Sequence, residues 1–477
     1  VTATASAPVG APTPPDPRRR GWLLPLLRRL HFFAGLLVGP FIFVAAVSGA
    51  LYALTPTLER GMYAHELTAP VTTGSTPLAE QVRAAEAYVG GGTPVAVRPA
   101  PAPGDTTRVM FADDTLPEST TRAVFVDPAT TEIRGDLPVY GTSGALPLRH
   151  WVSDLHRSLH LGDVGRWYSE LAASWLGIVA LAGLGLWVGR LAVRRRRRTR
   201  RPLRGYRRLS TWHSAVGVSA VLGALFLSAT GITWSTYAGA HVADLRALVG
   251  GGTPTLVTTL DGSAGTGDHA HHGGAHEGGH SVDAASFDDV LALARTVNVN
   301  SGDVEIRPPA ADGMAWVVQE VHRSFPTEVD AVAIDAADMR VIDRVDFADY
   351  PLLAKLSRWG IDLHMGTMFG LANQLVLVAL ALGIGVLVVL GYAMWWRRRP
   401  TKGVAAAPAR GALRQAPWWG TGAVLAAAVV IGLVLPLIGY TLAAFVVIDL
   451  LLGWRARRGE RVSREADASS PTPSSAR

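Results

Sequence analysis

The sequence predicts a polytopic α-helical membrane protein. It has a four-helix transmembrane core built from two repeats, two small α+β extracytoplasmic modules and a C-terminal transmembrane hairpin. Three observations in the 477 residues predict this. Several apolar runs reach or exceed the roughly 18–20 residues that cross a bilayer as a helix. Only 17% of the residues are charged, where soluble chains carry about 25%. The charges are also sorted. Eleven arginines crowd into residues 190–208 between two apolar runs, while 31 of the 38 acidic residues fall in residues 55–169 and 237–360. An ordinary soluble enzyme is excluded.

Residues 1–29 begin rich in Pro, Ala and Thr and end basic, which reads as a disordered cytoplasmic arm. The first span, residues 30–54, has an apolar core too long for a cleaved leader and is expected to be retained. Spans at 170–190, 213–236 and 371–396 follow, and Pro436 with Gly439 divides residues 418–454 into a hairpin of two shorter spans. Trp187, Trp234, Trp395, Trp396 and Trp454 mark span ends, where interfacial aromatics collect. Basic segments stay on the cytoplasmic side. The 191–212 loop, the 397–417 linker and the 455–477 tail are therefore assigned inside, with both termini, and the loops 55–169 and 237–370 outside. The expected location is the cytoplasmic (inner) membrane, with the lipid bilayer as partner. The net charge of +7 sits in these loops and needs no nucleic-acid partner.

Each outer loop repeats one α+β pattern. In the first, residues 78–88 read as a helix, 107–111 and 122–126 as strands, and Asp127-Pro-Ala-Thr as a turn. In the second, 287–297 read as a helix, 315–320 and 329–334 as strands, and Asp335-Ala-Ala-Asp as the matching turn. The spans repeat more sharply. His31, Gly35, Ser48, Gly49 and Tyr52 lie at offsets 0, +4, +17, +18 and +21, as do His213, Gly217, Thr230, Gly231 and Trp234. Trp151-x-x-Asp154-Leu155-His156-x5-Gly162 is matched by Trp359-x-x-Asp362-Leu363-His364-x5-Gly370.

The chain has no cysteine, which excludes thiolate catalysis, disulfides and iron–sulfur clusters. Metal chemistry must use histidine, carboxylate, methionine or tyrosine. At about 100° per residue, offsets +4 and +18 return close to the direction of the histidine. Each odd span thus presents one stripe in which imidazole is followed by glycines that let a flat ligand approach the backbone. Depth pairs His31 with His213 near the inner surface and His156 with His364 near the outer. Two bis-histidine b-type haem sites, with Gly35, Gly49, Gly217 and Gly231 making room for the rings, would form a path for electrons across the bilayer. A single intramembrane histidine more often bonds a neighbouring helix; two repeated, depth-matched pairs favour ligation. His160, one turn from His156, is an alternative outer ligand. Asp154 and Asp362 point around the helix from their histidines and suit charge pairing or a surface role. His269, His271, His272, His276 and His280 form a glycine-rich cluster suited to a loop-bound divalent metal. No Gly-rich nucleotide loop is present, so electrons must come from a separate cytoplasmic donor or from quinol.

These motifs resemble the PepSY-associated transmembrane family, which includes bacterial iron-regulated membrane proteins and siderophore reductases. The resemblance covers about residues 25–399. It rests on Arg29-Leu-His31-x3-Gly35, Asp154-Leu-His156-Arg-Ser-Leu-x-Leu-Gly162, Trp212-His213-x3-Gly217 and Asp362-Leu-His364-Met-Gly366, with PepSY-like outer modules around Val126-Asp127-Pro-Ala-Thr and Asp335. It implies an iron-acquisition role in which a dihaem protein passes electrons to a ferric siderophore or other iron chelate, and it carries the family's ligands onto His31, His156, His213 and His364. Two other readings stand beside it. One is a haem-free PepSY-type regulatory or binding protein of the envelope. The other is a metal-uptake accessory protein collecting ions on the His-rich loop.

Overall fold

A computed structural model describes residues 21–72, 74–194, 205–261, 282–398, 408 and 410–468. The His-rich segment 268–280 and most of the arginine run lie outside the described residues. Among the described residues, four helices are long and apolar enough to cross a membrane: α2 (Gly39–Met62), α6 (Gly162–Arg194), α7 (Tyr206–Thr233) and α11 (Gly370–Trp396). Within their most apolar windows only 28, 22, 17 and 22% is buried, so most of the apolar surface faces outward, as lipid requires. Two shorter apolar helices, α12 (Trp418–Val434) and the first part of α13 (Pro436–Ala468), complete a multi-pass membrane protein.

The expected first span is not one helix. α1 (Leu23–Leu37) ends before Val38, and α2 starts at Gly39. Pro40 has no N–H to give the Leu36 carbonyl one turn back. The hydroxyl of Tyr392 on α11 donates to that carbonyl instead, at 2.5 Å. The second span is longer than expected, because α6 already begins at Gly162.

The chain divides into two compact units. The first comprises the described residues of Val1–Pro40, Ser174–Leu225 and Leu387–Arg477. In it α12 and α13 form a hairpin at a glycine contact, where a Cβ on Gly439 would lie 3.0 Å from the Gly432 carbonyl oxygen. Trp175 Nε1 donates to Thr441 Oγ1 at 3.0 Å, and Asp449 pairs with Arg29 and, at 3.0 Å, with Arg410.

The second unit comprises Phe41–Ala173 and Phe226–Val386. After α2 come α3 (Ala64–Leu67), α4 (Leu78–Val89), β1 (Ala96–Arg98), β2 (Thr107–Phe111), β3 (Thr120–Val126), β4 (Ile133–Tyr140) and α5 (Pro147–Ser158). The second module follows as α8 (Tyr237–Leu248), α9 (Ala285–Val297), β5 (Val304–Arg307), β6 (Trp316–Glu320), β7 (Ala331–Asp335), β8 (Arg340–Val345) and α10 (Leu352–His364). The two modules share one antiparallel sheet, ordered β4-β3-β2-β1-β5-β6-β7-β8. They join where Val97 pairs with Ile306, on two strands of only three and four residues. α4 and α9 cover one face over a core that includes Val82, Val97, Val109, Phe287, Val290, Ile306 and Val332. In both modules an aspartate builds the turn before the last strand: Asp127 accepts from Ala129 N and Asp335 from Ala337 N.

Two contacts lock the modules together. Asp288 on α9 caps α4 by accepting from the Leu78 and Ala79 amides, both at 2.8 Å. Arg98 on β1 pairs with Glu305 on β5 at 2.6 Å. Burial alone would raise the Glu305 carboxyl, but Arg98 and Arg307 outweigh it and hold the group below its usual value. A depressed carboxylate stabilises the fold above its unfolded pKa, and that contribution is lost as pH falls through the folded value. The melting temperature of the chain should therefore fall on acidification through and below the carboxylate range, and less steeply in Glu305→Gln. Asp288→Ala should remove about 1 kcal/mol of capping, read as roughly fivefold faster amide exchange across α4; unchanged exchange would refute the cap.

Candidate metal centres

Four half-buried imidazoles fall two to each unit: His31 and His213 pack together in the first, and in the second the charge of His156 reaches His364. In the first unit, His31 on α1 and His213 on α7 stand with ring centroids 6.0 Å apart and planes at 78°. His31 Nδ1 lies 2.9 Å from the Val179 carbonyl oxygen, and His213 Nδ1 lies 3.1 Å from that of Leu387. A carbonyl only accepts, so Nδ1 carries the proton in both rings.

In the second unit, His156 lies in the last turn of α5 and His364 ends α10. His156 Nδ1 is 3.0 Å from Ser48 Oγ, and His364 Nδ1 is 2.6 Å from Thr230 Oγ1. Both hydroxyls already donate to their own helix, Ser48 to Val44 O at 2.8 Å and Thr230 to Phe226 O at 2.7 Å. Each hydroxyl oxygen is therefore left to accept, and Nδ1 again holds the proton. Tyr52 stacks on His156 and Trp234 packs against His364, each with centroids 6.3 Å apart. Although each residue keeps some accessible surface, the dense protein around the rings lowers both pKa values to about 4, the charge of His156 adding to the effect at His364. Both are neutral at neutral pH. Tyr168 donates to the His156 carbonyl, and Asn373 Nδ2 to that of Leu363 at 3.0 Å, which holds the two helix ends in place.

All four rings thus present a proton-free Nε2, the form that ligates metal when the other nitrogen is anchored. Two imidazoles bonded to one metal at about 2 Å each would have centroids about 6 Å apart, which His31 and His213 satisfy. The donor set is neutral nitrogen, suited to haem iron.

The glycines divide in their roles. A Cβ on Gly49 would lie 3.0 Å from His156 Cε1, so only glycine lets that ring reach α2. Gly35 has no atom within 4 Å of such a Cβ, while Gly217 meets Leu387 and Gly231 meets Ala173 rather than a histidine. Gly183 and Gly391 lie outside the glycine stripes of the odd spans. A Cβ on Gly183 would lie 3.0 Å from His31 Cε1, and one on Gly391 3.9 Å from His213 Cε1. Each comes four residues after the carbonyl that anchors the same ring and 27 after the outer histidine of its half, a match present in the sequence.

His160 is exposed and turned onto Trp151, at 4.9 Å between centroids; His156 is the one that shares the anchoring of the other three. Asp154 pairs with Arg157 at 2.7 Å, and Asp362 is fully buried against Arg358 at 2.9 Å. His322 bonds Asp303 at 2.7 Å, apart from either pair. His269, His271, His272, His276 and His280 fall outside the described residues. Among the described residues no cluster of three or more His, Cys, Asp or Glu could hold a metal ion.

The chain belongs to the PepSY-associated TM region family, whose model matches residues 28–398. No curated protein matches the chain. Anchoring of the outer rings is testable directly. In histidine-labelled protein, nitrogen NMR should show His364 as the Nδ1–H tautomer, and Thr230→Val should convert it to a mixture. An unchanged tautomer would show that Thr230 does not set it.

Proposed function

We propose that the chain carries electrons across the cytoplasmic membrane through two bis-histidine b-type haem sites and delivers them to an extracytoplasmic ferric chelate of the siderophore kind. The observation that carries this reading is the set of four imidazoles, two in each unit, each with Nδ1 committed to an oxygen and Nε2 bare. Membership of the PepSY-associated family is consistent with it. Haem iron, when bound, supplies one-electron exchange between its ferric and ferrous states.

In this reading His31 and His213 hold the inner group, and His156 and His364 the outer one. Val179, Leu387, Ser48 and Thr230 fix the ring orientations and strengthen the imidazoles as ligands. Tyr52 and Trp234 keep water from the outer rings, Gly49 lets a helix close on His156, and Gly183 lets one close on His31. The basic loops place the His31–His213 side toward the cytoplasm, where a soluble donor or quinol supplies electrons. The acidic modules then face the chelate, whose hold on iron weakens when the metal is reduced.

Protein purified in detergent from haem-replete cells should show a Soret band, sharpened α and β bands on reduction, and close to two haems per chain. His213→Ala and His364→Ala should each remove about half of the haem and stop electron transfer across sealed vesicles. Colourless wild-type protein would overturn the reading and favour a regulatory role for the PepSY modules.

A further inference from the structure

A cleft of about 230 Å³ opens on the first α+β module, lined chiefly by Tyr140, Pro147, His150, Trp151, Asp154 and His160. Its rings form two pairs. His150 lies on Tyr140 with centroids 4.1 Å apart and planes at 25°, and His160 lies on Trp151 at 4.9 Å and 38°. The Asp154 carboxylate stands 3.5 Å from His150 Nε2 and 2.7 Å from Arg157, which also donates to the Tyr140 hydroxyl at 3.2 Å. Trp151 remains 54% exposed.

The second half of the chain is an internal control. Residues 208 positions later are Arg358, Trp359, Asp362 and Met368, in place of His150, Trp151, Asp154 and His160. There the carboxylate is 0% exposed between Arg358 and Arg323, Trp359 packs on Phe347 at 6.1 Å, and Met368 is buried. The same scaffold is filled in one half and open in the other. Backbone geometry points the same way. Leu159 and His160 are consecutive non-glycine residues with φ of 53° and 57°, a left-handed conformation that L side chains rarely adopt. Gly162 and its counterpart Gly370 both turn with positive φ, but the second half makes its earlier turn at Gly366 instead. Such strain gathers at binding sites, and here it turns His160 back onto Trp151.

We propose that this cleft binds a planar ring bearing two hydroxyls. The aromatic faces of Trp151 and Tyr140 stack on the ring, while His150, His160 and Asp154 bond its hydroxyls. The volume is below the roughly 300–1,000 Å³ of drug-sized sites, so one substituted ring fills it. This chemistry has two sources: a dihydroxyaryl arm of a ferric chelate, or the head of a quinol. In either case the ring reaches α5 within two residues of His156, and its part in electron transfer rests on the function proposed above.

Calorimetry on the full chain in detergent tests it, with 2,3-dihydroxybenzoate, its ferric complex and a short-tailed ubiquinol as probes. Wild-type protein should bind at least one probe. Trp151→Leu should weaken that binding tenfold or more, as should the double variant Leu159→Gly/His160→Gly, which relieves the backbone while removing the imidazole. Arg340→Ala, on a distant exposed strand, should leave it unchanged. Preference for the ferric complex supports the chelate arm, and preference for ubiquinol supports the quinol head. No binding of any probe, or equal affinity in both cleft variants, overturns the proposal. Haem-free protein that still binds the ring supports the cleft and overturns the electron-transfer reading alone.

Discussion

A neutral imidazole has one proton and one lone pair, and in an apolar helix bundle neither can be left to water. An unpaired buried N–H is costly, so each ring here settles its proton on an oxygen, and the choice of oxygen decides which nitrogen stays bare. The two units solve this differently. His31 and His213 use main-chain carbonyls of α6 and α11; His156 and His364 use hydroxyls of α2 and α7 that are already engaged as donors. The result is the same at all four positions. Close approach follows from it, because a ring that must touch a neighbouring backbone tolerates no Cβ there, as at Gly49 and Gly183.

Duplication explains why the solution appears twice. The histidines that open the two halves are 182 residues apart and those that close them 208, so the second half is 26 residues longer between its histidines. The His-rich segment lies in that longer stretch and has no counterpart in the first half. Duplication also left the halves free to diverge away from the rings. Asp362 is sealed between arginines, whereas Asp154 borders a cleft.

Much of this was legible in the sequence because it depends on local periodicity. Long apolar runs gave the spans, and the repeat picked out Ser48, Thr230, Tyr52 and Trp234 before any contact was known. What escaped depends on partners distant in the chain. β1 and β5 are too short to show alternation, yet they fuse the modules through Val97 and Ile306. Val179 and Leu387 act through their carbonyls, to which side-chain identity is blind. A straight first span would carry one stripe from end to end, but Pro40 breaks it at Val38; α7, with no proline, runs unbroken through the matching residues. His160 sat at helical spacing from His156, but α5 ends at Ser158 and the left-handed pair that follows reverses the chain.

The shared sheet has a consequence for self-association. Two separate four-stranded modules would present four open strand edges, each a template on which a stray extended chain can grow into an aggregate. Joining β1 to β5 removes two of them. The survivors are poor templates: β4 carries Pro138, which lacks an amide hydrogen, and β8 carries Arg340, Asp343 and Arg344, whose charges resist a dry, stacked neighbour. The fusion that unites the twin halves thus also guards the molecule against fibre-like self-association.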